Sequence, residues 1–347
     1  MNNKLRIGVI GLGMGRGHIT GFQSHPKAEV IAICDIDEGR LEATGREFGI
    51  KKKFTDARKM FDEADLDAVS IATPNKFHAP LSIAALKSGL HVFCEKPMAM
   101  NTKEAEQMNH TAKSVGKNLM INFSYRFNEI SYALKQQVDR GVVGDIYFGR
   151  TVWHRRRSIH LLREWFYDKE FSGGGPLIDL GVHRLDLALW LMGYPEPAAI
   201  SGSTYNIIAK ERALKMHKKF DVEDLSCAIV KFKNGASLIV EASWELNIKE
   251  PEYMVTMLCG TKGGLVHQNV DGGYSFSGEV YTEEDGYLFT KRLDWSTITI
   301  PSPYQEFVDS IIEKRQPLAT GEEGLKVMKI LDGIYESART SREVRYD

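Results

Sequence analysis

The chain has 347 residues, 43% hydrophobic and 26% charged, with 45 Lys+Arg against 46 Asp+Glu. That length allows two domains, and that apolar share excludes a disordered chain. The near-zero net charge removes the electrostatic case for a nucleic-acid partner, and no apolar run reaches the roughly 20 residues that span a bilayer. The opening run Lys4–Gly11 is too short and too rich in glycine for a signal peptide, so a cytoplasmic protein is expected. Cys34, Cys94, Cys227 and Cys259 lie far apart in apolar runs without a CxxC pair and read as buried free thiols.

In the first third, apolar runs at Arg6–Ile10, Glu29–Cys34, Ala68–Ala72, Leu90–Cys94 and Asn118–Phe123 alternate with helical patterns at Glu38–Phe48, His78–Lys87 and Lys103–Val115. Such alternation predicts right-handed βαβ crossovers and a parallel sheet over residues 1–123. Asn101, with Glu104 three residues on, marks a helix start. A second domain, 124–347, opens with a helix at Glu129–Arg140 and a strand at Ile146–Trp153. One long amphipathic helix then follows Gly173-Gly174-Gly175-Pro176, with Gly193 as its stop. From about residue 198 the pattern is strands. Leu225–Phe232 and Ala236–Ala242 flank Asn234-Gly235, a hairpin signal that predicts φ > 0 at both turn residues and an antiparallel sheet. Ser302–Glu313 and Glu322–Arg339 return to helical periodicity.

Gly11-Leu12-Gly13-Met14-Gly15-Arg16-Gly17 follows the first strand and opens a helix. Glycines here allow a tight turn and a close backbone approach to a pyrophosphate at a helix N-terminus. Asp35 ends the second apolar run, near the spacing of an acid that accepts bonds from the adenosine hydroxyls and repels a 2′-phosphate. NAD is therefore expected over NADP; the competing reading of Asp35 is a helix N-cap. The third fingerprint position is Arg16 rather than glycine. Either the helix starts one residue differently or Arg16 itself reaches the cofactor.

Glu95-Lys96-Pro97 follows the strand Leu90–Cys94, at the carboxyl end where ligands of open parallel sheets bind. Pro97 holds Lys96 away from helical geometry. The alternative is a surface lysine. On the helix after the triple glycine, Asp179, His183 and Asp186 share a face at i, i+4 and i+7, and the glycines would let the preceding loop approach a ligand. A structural Asp–His bond is the plain alternative. No further His or Cys cluster completes a metal site.

Together the glycine turn, Asp35, Thr73-Pro74-Asn75 with His78, Glu95-Lys96-Pro97 and Asp179-x-x-x-His183 resemble the glucose–fructose oxidoreductase/inositol dehydrogenase/rhizopine catabolism (Gfo/Idh/MocA) family over nearly the whole chain. The resemblance implies an α/β N-terminal Rossmann domain and an α+β C-terminal domain with an open, mostly antiparallel sheet. It also implies a C-terminal helix packed back on the first domain and a homodimer or homotetramer formed through that sheet. By position, Lys96, Asp179 and His183 would be catalytic. Gly11, Gly13, Met14, Gly15, Arg16, Asp35, Thr73, Pro74, Asn75, His78, Glu95 and Lys96 would contact the dinucleotide, with a cis bond before Pro97.

Oxidising a secondary alcohol requires the hydroxyl proton to leave with the hydride, which suits an imidazole near neutrality. Asp179 would orient His183, and the Lys96 ammonium would stabilise alkoxide charge. Trp153-His154-Arg155-Arg156-Arg157 sets an aromatic surface beside guanidinium groups, suited to a sugar bearing hydroxyls or a carboxylate, or else is a solvated basic strand or a subunit contact. Arg126, Trp165 and Trp244 are further pocket candidates. Three functions stay open: an NAD-dependent dehydrogenase of a sugar, polyol or inositol; a glycosidase that oxidises and re-reduces its substrate with retained NAD; and a non-enzymatic dinucleotide sensor.

Overall fold

A computed structural model describes residues 4–158, 163–293 and 299–346. Contacts divide the chain into two units, Met1–Phe123 with Pro301–Met328, and Ser124–Ile300 with Lys329–Asp347.

In the first unit the apolar runs become β1 (Leu5–Ile10), β2 (Ala28–Cys34), β4 (Ala68–Ile71), β5 (His91–Cys94) and β6 (Leu119–Ile121), with β3 (Lys52–Phe54) between them in sequence. All pair in parallel in the order β3-β2-β1-β4-β5-β6. The continuous apolar runs follow from burial on both faces: Val9, Ile33, Val69 and Val92 have no more than trace exposure. Helices at Glu38–Phe48 and His78–Lys87 match expectation, and Asn101 caps Thr102–Val115 by accepting the Glu104 N–H. β3 and the helix Ala57–Glu63 were not expected. β3 is a three-residue edge strand holding two lysines, too short and too polar to show a period. The open edge of β6 is covered from within the unit, where the Ile121 N–H donates to Ala319 O at 3.0 Å and Met120 pairs with Thr320.

The second unit is built on β7 (Ile146–Arg155), β8 (Pro197–Tyr205), β9 (Leu225–Phe232), β10 (Ser237–Ser243), β11 (Glu252–Gly260), β12 (Gly263–Asn269), β13 (Phe276–Glu284), β14 (Tyr287–Leu293) and β15 (Val344–Arg345). The order is β14-β13-β12-β11-β7-β10-β9-β8-β15. Only β7 and β10 run in parallel, so the sheet is open and mostly antiparallel. One face carries Gly149, Thr151 and Trp153 of β7, and Thr151 Oγ1 donates to Arg184 O of the helix Val182–Leu191 at 2.9 Å. The hairpin after Phe232 forms, but its turn differs from expectation. Only Gly235 has a positive φ (+87°), and the Phe232 N–H bonds Ala236 O at 2.9 Å, leaving a three-residue loop with glycine in the left-handed position. All four cysteines are free; Cys34 and Cys94 are buried as expected, whereas Cys227 and Cys259 are half-buried on the sheet of the second unit. Among the described residues no helix is long and apolar enough to cross a membrane.

Candidate active site

The glycine turn is shaped by the strands beneath it. Gly11 sits at φ +85°, and a Cβ there would lie 2.6 Å from Ala72 O. Its N–H donates to Cys34 O at 2.9 Å. The helix begins at Gly15, where a Cβ would meet Val9 Cγ1 at 2.8 Å. Gly15 thus does the helix–strand packing expected of the third fingerprint glycine, because the helix starts one residue early. The Arg16 guanidinium pairs with Glu47 at the surface. Met14 stands exposed at the helix start and no side chain caps it; Gly13 is half-buried.

Asp35 is buried and braces this turn. Oδ2 accepts the Leu12 N–H at 2.8 Å, Oδ1 accepts the Asp37 N–H at 2.9 Å, and Arg40 lies 3.2 Å away. Asp35 is not the helix cap. Asp37 is, accepting the Arg40 N–H.

At the ends of β4 and β5 the structure brings Thr73, Pro74, Asn75, His78, Glu95 and Lys96 into one corner, where the Lys96–Pro97 bond is cis. His78 lies inside it, with Nδ1 2.7 Å from Pro97 O and Nε2 2.8 Å from Thr73 O. Burial pulls the His78 pKa down against those two backbone bonds. The ring is buried, and in its neutral form it has a single N–H, so it donates to one of these two carbonyl oxygens. Glu95 is likewise turned inward. Oε1 receives Asn122 Nδ2 at 2.6 Å and His18 Nε2 at 2.9 Å, while His18 Nδ1 meets Ser70 Oγ at 2.7 Å. Burial would raise the Glu95 carboxyl, yet His18, Asn122 and the Lys96 charge together hold it down to about 2. His18, Ser70 and Asn122 had no signature in sequence; only the ordering of β4, β5 and β6 assembles them. This unit fits a dinucleotide: the glycine turn stands at the carboxyl end of β1, and the buried Thr73 Oγ1 takes no hydrogen bond among the described residues.

In the second unit the triple glycine has a cause other than ligand access. A Cβ on Gly174 would strike Tyr335 Oη, and one on Gly175 would strike Glu223 O. Glu223 accepts the Gly175 N–H at 2.9 Å, the Leu177 N–H at 3.1 Å and Tyr335 Oη–H at 2.9 Å. The single long helix is also corrected. Leu177–Gly181 is a π-helical turn and Val182–Leu191 the α-helix, so Asp179 lies in a widened turn of the kind that recurs at functional sites.

The three polar groups of this segment have different surroundings. Asp179 Oδ2 accepts the Trp244 indole N–H at 3.0 Å. His183 is half-buried against two aromatic rings, Tyr125 at 5.3 Å and Trp153 at 5.7 Å between centroids. Asp186 is buried and pairs with Arg126, at 2.9 Å from Nε and 2.6 Å from Nη2, and with Tyr194. Arg126 and Trp244, both read as pocket candidates, have no more than 1% exposure, and Trp153 is buried at 4%. Trp165 stacks on Phe166 at 4.0 Å and has no ring contact with Trp153 or His183.

Beside His183 lies a cluster the sequence only half revealed. Glu252 Oε1 receives Trp153 Nε1–H at 2.6 Å, Arg155 Nε–H at 2.7 Å and Tyr274 Oη–H at 2.9 Å. Arg155 Nη2 also donates to Tyr274 Oη at 2.7 Å. Glu252 stands opposite Arg155 across the β7–β11 ladder, a pairing visible only once the register is known. The next two arginines are occupied elsewhere: Arg156 on Lys249 O, and Arg157 on Leu246 O and Asn247 Oδ1.

Comparison with known proteins agrees with this architecture. Residues 5–123 match the model of the Gfo/Idh/MocA oxidoreductase family, NAD-binding Rossmann fold, and residues 132–266 match the C-terminal domain of that family. The chain is 30% identical to D-glucoside 3-dehydrogenase of Escherichia coli, over 99% of this chain and 98% of that one. It is 26% identical to myo-inositol 2-dehydrogenase of Thermotoga maritima, over 99% of both. A solved levoglucosan dehydrogenase in complex with NADH shares the fold with a TM-score of 0.86 at 24% identity, over 99% of each chain. The chain belongs to the Gfo/Idh/MocA oxidoreductase family, and its first unit is an NAD-binding Rossmann fold.

Proposed function

We propose that the protein is an NAD-dependent dehydrogenase that oxidises a secondary hydroxyl of a sugar, glycoside or polyol. The observation that carries this reading is His183, half-buried between Tyr125 and Trp153 and one indole away from the Arg155–Glu252–Tyr274 cluster. An aromatic wall with hydroxyl-bonding groups next to an imidazole suits a polyhydroxylated ring whose hydroxyl must lose a proton. Relatives named for glucosides and inositols support the substrate class.

Bound NAD supplies the hydride acceptor. His183 takes the hydroxyl proton. Asp179, itself oriented by Trp244, steadies the imidazolium that results. Lys96, fixed at the cis corner after β5, stabilises negative charge on the substrate oxygen. Glu95 serves this corner from beneath, its carboxylate locked by His18 and Asn122.

His183→Ala and Lys96→Ala are each expected to lower kcat by roughly 10³-fold while NADH affinity, read by fluorescence titration, stays within a few-fold. Near-wild-type turnover in either variant overturns the assignment. NADH accumulating in step with substrate consumed distinguishes the dehydrogenase from a redox-neutral glycosidase, and no turnover of any sugar points to a sensor. We also propose self-association through the uncovered face of the second sheet, where Ile229 is 45% exposed beside Ile239 and Arg150. Light scattering showing only monomer overturns that proposal.

A further inference from the structure

We infer that Glu252 is a specificity-determining residue that rejects anionic sugars, so that the substrate of the reaction proposed above, on which this inference rests, is a neutral ring with vicinal hydroxyls. Arg155 beside the Trp153 indole would by itself be a receptor for a uronate, because a guanidinium fork matches a carboxylate in two parallel bonds. Glu252 cancels that charge at 2.7 Å. Both side chains are largely withdrawn from water, Arg155 at 18% and Glu252 at 13% exposure, so a second carboxylate brought to this pair meets a poorly screened like charge.

The hydrogen-bond inventory of the cluster points the same way. All three donors to Glu252 converge on Oε1, and Oε2 takes no hydrogen bond among the described residues. On Arg155, Nε and Nη2 are engaged and Nη1 is not, again among the described residues. The pair therefore presents one acceptor and one donor side by side. A vicinal diol satisfies both: one hydroxyl donates to Oε2 and its neighbour accepts from Nη1. A carboxylate has no proton for Oε2. The Trp153 ring, 5.7 Å from that of His183, sets this recognition one side chain away from the proposed base.

The test is calorimetric titration of the enzyme–NADH complex with methyl α-D-glucoside and with the matching methyl glucuronoside. Wild type is expected to bind the glucoside roughly 30-fold tighter or better. Glu252→Gln is expected to shrink that ratio by roughly tenfold through improved glucuronoside binding, and adding Arg155→Met is expected to abolish the gain. Arg155→Met alone, which leaves Glu252 uncompensated, should widen the wild-type ratio and so provides a reading even if Glu252→Gln folds poorly. An unchanged ratio in Glu252→Gln, a wild-type preference for the glucuronoside, or no binding of either sugar overturns the inference. Because the ratio is a binding measurement, absence of NADH formation would sink the dehydrogenase reading while leaving the charge selection to be judged on its own.

Discussion

The two glycine-rich segments of this chain look alike as letters and are required for different reasons. In Gly11–Gly17 the demand is for a turn and a helix start: Gly11 takes a positive φ beneath Ala72 O, and Gly15 lets a helix lie on β1. In Gly173–Gly175 only Gly173 takes a positive φ; Gly174 and Gly175 are small because distant residues, Tyr335 and Glu223, lie over them. Each segment is braced by a buried carboxylate that accepts its backbone N–H groups, Asp35 in one and Glu223 in the other. Asp35 has the Arg40 guanidinium at hand, whereas Glu223 is bonded by neutral donors and burial pushes its pKa up. A glycine run in a sequence therefore signals close approach without telling what approaches.

The contrast breaks most sharply at Gly175. Its added Cβ would sit 2.0 Å from a backbone carbonyl oxygen, which cannot rotate aside as a side chain would. Gly175→Ala is expected to cost about 4 kcal/mol or more, comparable to the larger core substitutions, and to show as a lowered urea midpoint or loss of soluble protein. A cost below about 1 kcal/mol would mean that the Glu223 strand yields easily, and the overlay would lose its explanatory role.

Two buried glutamates sharpen the comparison further. Glu95 is held from an ordinary 4.5 down to about 2, so its ionised form stabilises the fold by about 3 kcal/mol at pH 7. Glu95→Gln should forfeit that at neutral pH, and the deficit should fade as pH falls from about 4.5 to about 2, where wild type becomes protonated as well. Glu223 has the opposite sign. Its raised pKa means that wild type carries a penalty at neutral pH that is relieved on acidification. Glu223→Gln orphans a backbone N–H for roughly 1–2 kcal/mol, a cost that should be smallest at pH 7 and grow below it. Urea midpoints of both variants at pH 7 and pH 3 read the two slopes; parallel slopes would refute the assignment of opposite electrostatics.

What was legible in the chain follows the range of the interaction. Strands buried on both faces announced themselves as apolar runs, and the Asn101 cap was visible because it bonds only three residues away. The glycine turn and Asp35 were readable because one βαβ unit holds them, and the Lys96 corner because it directly follows the single apolar run of β5. The π-turn under Asp179 was not, since the i, i+4 spacing is indifferent to one widened turn. Glu252 was missed because its significance lies in a register with β7 nearly a hundred residues earlier. The bonds of Arg126 to Asp186 and of Trp244 to Asp179 were not legible for a related reason: an arginine or tryptophan near a motif carries no mark of its partner in sequence.

The smallest effect tests the other side of the glycine comparison. Gly17 lies in the first turns of the helix Gly15–Gln23, is exposed, and an added Cβ would meet nothing within 4 Å. Its backbone is helical, so it contributes the conformational freedom of glycine to the unfolded chain and no turn or packing role to the folded one. Gly17→Ala is therefore expected to stabilise the protein by roughly 0.5–1 kcal/mol, opposite in sign to Gly175→Ala. A small rise in the urea midpoint at unchanged slope would establish it. A loss of stability instead would mean that the turn between β1 and its helix is tighter at Gly17 than the space around it indicates, and that local backbone demand extends through the entire segment.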